Sequence, residues 1–220
     1  MKKNYILSLV LFFLYFYSFS QTTETENFDS CSSCTQKFDL SSEATPSGFW
    51  NGSNDDSSGY GWEIKNGSTT SGSTGPSGAY NGNYYAYCET SSSGSNKTFI
   101  LESDTFSATS TTMSFYYHMY GATTGDIYVD ESTNGGTSWN TLLTISGQQQ
   151  FDELDSWIQV TSGSGSFSAI SSSTNKLRIR YQSGSSYTGD TAIDQIVVTY
   201  SSGPSISVGS AITGLNYASG

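Results

Sequence analysis

A chain of 220 residues with 23 glycines, 15% aromatic residues and only 12% charged residues is neither a Lys/Glu-rich helical protein nor a disordered one, which would lack so many aromatics. Its net charge of −11 excludes polyanionic partners, because nucleic acid phosphates and anionic lipid would be repelled. Aromatics set among Gly, Ser, Thr and Asn predict short strands joined by turns, in one domain large enough to bury a proper core.

The N-terminus reads MKKNYILSLVLFFLYFYSFSQ. Lys2 and Lys3 precede an apolar run from Ile6 to Tyr17, and Ser18-Phe19-Ser20 forms a small-x-small cleavage site before Gln21, which predicts a signal peptide over 1–20. The apolar run is short and no stop-transfer charges follow it, so no membrane span is expected and the protein is expected to be secreted or at the cell surface. Residues 21–36 are polar and read as a leader arm. Cys31 and Cys34 lie in it, and Cys88 is the third cysteine. In an oxidising compartment these are structural: a Cys31–Cys34 loop and a bridge from either one to Cys88 are both open, with one thiol left over. A redox role for CSSC needs an α/β context and zinc needs a fourth ligand, neither of which is visible.

From Lys37 onward the pattern alternates. NYYAYCE (83–89) reads as a strand and TFILESDTFS (98–107) as two short ones. MSFYYHMYG puts Met113, Phe115, Tyr117 and Met119 on one face and Ser114, Tyr116, His118 and Tyr120 on the other. DIYVDES leads into a TNGG hairpin turn, and WNTLLTIS returns. SWIQVT, KLRIRYQ and TAIDQIVVTY complete the set. In KLRIRYQ, Leu177, Ile179 and Tyr181 point one way and Arg178 and Arg180 the other, as in an antiparallel sheet with one wet face. No segment has helical spacing over three turns, so a β-sandwich is expected over 37–200. Residues 201–220 begin with a Ser/Gly/Pro linker and then start a new alternation, read as the truncated beginning of a further β domain.

Several stretches in order resemble a MAM domain, the extracellular module of meprins, neuropilins and receptor tyrosine phosphatases. They are Phe38-Asp39, NDDSSGYGWEI (54–64), TGPSGAYNGNYYAYCET (74–90), FYYHMYGATTGDIYV (115–129), SGQQQFDELDSWIQV and SYTGDTAIDQIVV (186–198). The signal peptide and tail give the chain the look of a bacterial member. The resemblance implies a jelly-roll β-sandwich of two antiparallel sheets and a non-catalytic role in adhesion or recognition of extracellular protein or carbohydrate. The alternative is an accessory domain of a secreted hydrolase (protease, nuclease or glycosidase) whose catalytic domain lies beyond Gly220. The sequence departs from vertebrate members at Gln36 and Thr112, where they carry disulfide cysteines, at Cys88, where Val is usual, and at Lys37, where many have Asp.

Some members of that family hold a calcium-type cation, and the matching positions are Asp39, Asp55, Asp56 and Asp194. Calcium takes six to eight oxygens, several from carboxylates on elements that meet in space. The resemblance therefore implies a structural Ca2+ between the first strand, a loop and the last strand. His118 has no nucleophile or orienting acid beside it in sequence and reads as a structural histidine, packed and hydrogen-bonded on the sheet. The carboxylate pairs Glu102/Glu131 and Asp126/Asp130 lack an E-x-D-x-x-E strand motif, so no catalytic residue is expected. Trp50, Tyr60, Tyr80 and Tyr187 are the loop aromatics that can stack on a ligand.

Overall fold

The computed structural model describes residues 17–18, 20–30, 45–54, 60–91, 94–203 and 205–206. Its strands are β1 (Tyr17–Ser18), β2 (Gln21–Glu26), β3 (Trp50–Asn54), β4 (Glu63–Asn66), β5 (Tyr84–Cys88), β6 (Thr98–Ser103), β7 (Ser110–His118), β8 (Asp126–Ser132), β9 (Asn140–Ser146), β10 (Ile158–Thr161), β11 (Lys176–Gln182), β12 (Thr191–Ser201) and β13 (Ser205–Ile206). A 3-10 turn at Tyr187–Gly189 precedes β12. Among the described residues there is no α-helix.

Two antiparallel sheets face one another in a jelly-roll β-sandwich. One runs β10-β7-β12-β5-β4 with β2 also paired to β12, and the other runs β3-β6-β11-β8-β9; β1 and β13 pair separately. The expected faces of β7 are borne out, since Met113, Phe115, Tyr117 and Met119 all enter the core between the sheets. Leu177, Ile179 and Tyr181 of β11 do the same from the opposite layer. Each such side chain contributes roughly 1.5–3 kcal/mol when fully buried, so the sandwich is held by its period-two alternation rather than by any single contact.

β12 organises its sheet. It pairs β7 along one edge, while its other edge is shared by β5 over Thr191–Ile193 and by β2 over Ile196–Ser201. Where the two partners change over, the register slips between Asp194 and Val197, and Gln195 adopts φ 50°. The extra residue resets the alternation, so Ile193, Ile196 and Val198 all point into the core although Ile193 and Ile196 are three apart in sequence.

Residues 21–26, read from composition as part of a polar arm outside the domain, are instead the strand that pairs with β12. Their inward positions are Thr22, Glu24 and Glu26, and Glu26 is buried, accepting the Phe28 and Ser47 amides on its two oxygens at 2.8 and 2.9 Å. A strand whose inner face is polar gives no hydrophobic alternation, which is why the period-two pattern misses it. β2 lies beside β12, the long strand that closes the domain, and the first strand expected at Phe38-Asp39 lies outside the described residues. β8 and β9 form the expected hairpin, and Asn134 shapes its turn by accepting from the Ser132 hydroxyl and the Ser138 amide at 2.9 Å each.

Candidate ligand-binding cleft

The outer face of the β7–β12–β5 sheet carries a second, smaller apolar cluster. Tyr85, Tyr87 and Ala192 are buried there, with Ala79 and Trp157 packed on them. Alternation along β5 accounts for this: Ala86 and Cys88 enter the main core, so Tyr85 and Tyr87 must point outward. Two loops, 67–83 and 147–157, fold over the outward tyrosines and turn a face that would be wet into a covered one.

The second loop is strapped to the end of β7 by Gln150, which is 2% exposed. Its Oε1 accepts the Met119 amide at 2.7 Å, and its Nε2 donates to the carbonyls of Tyr117 and Ser156 at 3.3 and 3.4 Å. The Gln149 and Gln150 amides add bonds to the Met119 carbonyl at 2.8 and 3.3 Å. Beneath the strap, the Trp157 ring meets Tyr85 edge-on at 5.8 Å and lies 5.6 Å from His118.

The first loop is held by two acids. Asp194, buried at the β12 bulge, accepts the Tyr80 and Asn81 amides on Oδ2 at 3.0 and 3.1 Å and the Gln195 amide on Oδ1 at 2.6 Å. Burial pushes its carboxyl up to about 7 against the pull of those three N–H donors, and nearby Asp29 adds to the rise. Asp29, just after β2, accepts the Asn83 and Tyr84 amides at 2.7 and 3.1 Å. Gly82 passes so close, with φ +72°, that a Cβ would sit 1.8 Å from the Asp29 carboxylate. Held this way, the Tyr80 ring stacks on Tyr116 at 3.5 Å between centroids and 14° between planes.

Between the loops lies a cleft of about 310 Å³ lined by Ser77 to Tyr80 on one side and Glu153 to Trp157 on the other. The Ser77 amide donates to the Glu153 carbonyl at 2.9 Å, so both walls are tied together before any ligand arrives. Tyr80 is 43% exposed and Leu154 77% exposed, and Phe151 stands beyond them at 79%. A cleft of this size with aromatic walls and a few polar groups is the usual form of a small-ligand or side-chain site.

His118 is packed as expected and fully buried, but the expected hydrogen bonds are not made: neither ring nitrogen has a partner. The strap covers it, and the Asp155 backbone bears on the ring without meeting full hydrogen-bond geometry. Burial lowers its pKa to about 4, although the Asp155 backbone and the carboxylates of Asp155 and Asp152 pull the other way. Gly121, which ends the strand, has φ +142° and lies where a Cβ would be 2.2 Å from the Thr188 carbonyl, so glycine is required there by close approach as well as by the turn.

Of the remaining predicted site residues, Asp39, Asp55, Asp56, Cys31 and Cys34 lie outside the described residues. Cys88 is a buried free thiol, so the bridge to it is not formed. Burial raises its pKa, consistent with an unreactive core position. Asp194 has both oxygens committed to amides, and among the described residues no three His, Cys, Asp or Glu side chains come together as a metal site. Trp50 is fully buried in the core and Tyr60 packs against it, which corrects their reading as ligand-stacking aromatics. Tyr80 and Tyr187 are exposed.

Neither carboxylate pair is free for chemistry. Asp130 takes Arg178 and Arg180 at 2.9 and 2.6 Å and the Thr141 hydroxyl at 2.7 Å. Asp126 accepts from the Tyr128 hydroxyl at 3.1 Å, Glu102 pairs with Lys176, and Glu131 accepts the Ser171 amide at 2.8 Å and the Thr174 hydroxyl. Sequence reasoning missed Asp29, Gln150 and Trp157. Asp29 stands in NFDS, the same Phe-Asp pair as Phe38-Asp39, and that repetition was the available signal.

A sandwich whose loops build a preformed cleft, with its internal acids spent on structure, defines the class: a β-sandwich module that presents loops. The chain belongs to the MAM domain family (meprin/A5/mu), which matches residues 27–202. The K2 cleaved adhesin domain of Lys-gingipain shares the fold at a TM-score of 0.57 and 18% identity, over 80% of this chain and 99% of that one. The K3 cleaved adhesin domain of Lys-gingipain from Porphyromonas gingivalis does so at 0.54 and 16% identity, over 82% and 99%. No helix among the described residues is long and apolar enough to cross a membrane.

Proposed function

We propose that this chain is a non-catalytic, secreted extracellular binding module that recognises protein or carbohydrate through the Tyr80–Trp157 cleft. The observation that carries this reading is the cleft itself: two loops tied to each other and to the sheet hold exposed Tyr80 and Leu154 over half-buried Trp157. Preformed aromatic surface of this kind loses little conformational entropy on binding. Membership of the MAM family supports the extracellular role, and the engagement of Glu102, Glu131, Asp126 and Asp130 in structural bonds supports the absence of catalysis. Binding of the purified protein to glycan arrays and to cell surfaces, compared with a Tyr80→Ala variant, tests it. Arrays and surfaces that stay blank, or binding that survives Tyr80→Ala in full, would remove the cleft from the account.

A structural Ca2+ held by Asp39, Asp55, Asp56 and Asp194 is a separate part of the proposal. Millimolar calcium then raises the melting temperature, because a ligand bound only by the folded state stabilises it. An Asp194→Asn variant that keeps the full response counts against that ligand set.

A further inference from the structure

Resting on the reading of the cleft as a binding site, we infer that its occupant is a basic side chain, Lys or Arg, presented by an extended apolar-flanked segment of a partner protein. Three independent features converge on that chemistry. The walls carry acceptors without balancing cations: Glu153 and Asp155 line the cleft, and no Lys or Arg is among the lining residues. Lys176, Arg178 and Arg180 belong to β11 in the opposite sheet, where Glu102 pairs with the lysine and Asp130 with both arginines. Lys65 stands at edge strand β4, opposite Tyr85, outside the lining.

The aromatic geometry suits a cation. Tyr80 stacks on Tyr116 at 3.5 Å, and the ring, still 43% exposed, lines the cleft together with Glu153 and Asp155. A guanidinium or ammonium over such a ring, with a carboxylate within reach, gains from both the ring quadrupole and the acid. The acidic wall is also held in shape by its own bonds. Asp155 accepts the Phe151 and Asp152 amides at 2.7 and 2.9 Å, and Asp152 accepts the Leu154 amide at 2.9 Å.

The strap is apolar at its surface, with Leu154 of the cleft wall and Phe151, three residues before it, both exposed. A surface of that kind matches aliphatic or aromatic neighbours of the basic residue in a peptide. It offers little to the hydroxyls of a neutral sugar, which need donors and acceptors together. The overall excess of 19 Asp and Glu over 8 Lys and Arg adds long-range attraction for a basic partner.

The test uses the full chain and two labelled peptides of one sequence, Leu/Phe-flanked, one with arginine and one with neutral citrulline at the same positions. Fluorescence anisotropy at low and high salt reads affinity, and calorimetry with neutral oligosaccharides is the parallel arm. The arginine peptide is expected to bind saturably and more weakly at high salt. Citrulline, Tyr80→Ala or Glu153→Gln each weakens it about threefold to thirtyfold, while Tyr187→Ala, at an exposed tyrosine elsewhere, changes nothing. Equal affinity for arginine and citrulline, or equal loss in Tyr187→Ala and Tyr80→Ala, overturns the inference. Oligosaccharide binding that Tyr80→Ala abolishes, with no peptide binding, overturns the basic occupant and leaves the binding module standing. If neither probe binds and glycan arrays and cell surfaces are also blank, both readings fall.

Discussion

Gln150→Leu isolates the bonds that strap the cleft's acidic wall to the sheet, because the replacement keeps the side chain's bulk. The Met119 amide, bonded to Oε1 at 2.7 Å in a buried site, loses its acceptor, which costs about 1–3 kcal/mol. The two Nε2 bonds, at 3.3 and 3.4 Å, are at the long end of the range and add a few tenths of a kcal/mol each. The expected loss is about 2–3 kcal/mol, a fall of roughly 5–10 °C in melting temperature for a domain of this size. Thermal and denaturant unfolding measure the global loss, and amide exchange over residues 147–157 shows whether the strap opens first. A loss below about 0.5 kcal/mol would refute the reasoning, since the backbone bonds from Gln149 and Gln150 to Met119 would then suffice alone.

The remaining predictions concern charge. His118 is held neutral by burial with its pKa lowered to about 4, so the unfolded chain takes up the proton first as pH falls below about 6.5. The stability difference between the wild type and His118→Gln should then shrink by about 2–3 kcal/mol between about pH 7 and about pH 4.5; a difference flat with pH contradicts this. Asp190 has the opposite sign. Burial pushes its carboxyl up to about 7 and its Oδ2 has no partner, so the folded state takes up the proton first and gains stability as pH falls. Urea titrations at about pH 8 and about pH 5 should show a change in stability about 2–3 kcal/mol more favourable in the wild type than in Asp190→Asn, where Asp194 and His118 still titrate. Asp130→Asn leaves the Arg178 and Arg180 guanidinia facing one another and should cost about 3 kcal/mol. The Asp130 carboxyl, although its burial acts to raise its pKa, is held below the ordinary range by Arg180, Thr141 and Arg178. Its contribution is present above about pH 4 and is lost as pH falls further. Chemical unfolding that finds the variant as stable as the wild type at neutral pH would show the cluster to be energetically idle.

Where a strand buries one apolar face, period two was enough to read it, as in Met113 to Met119 and in Leu177, Ile179 and Tyr181. It failed at Gln21–Glu26, whose buried Glu26 is satisfied by amides rather than by packing. It also says nothing of Ile193 to Ile196, where a bulge, not alternation, sets the facing. Trp50 was misplaced for a related reason. An aromatic among Gly, Ser and Asn looks like loop, and only its pairing with β6 puts it in the core.

Local sequence by itself determined the two-layer architecture, the inward faces of β7 and β11, the family resemblance and one cleft aromatic, Tyr80, because these depend on spacing along one segment. Only the tertiary structure decided that Asp194 and Asp29 hold the Tyr80 loop, that Gln150 straps Trp157 beside His118, and that Cys88 stays unpaired. Those outcomes depend on groups far apart in the chain meeting where no water competes, and an amide or carboxylate is worth most when burial leaves it a single partner.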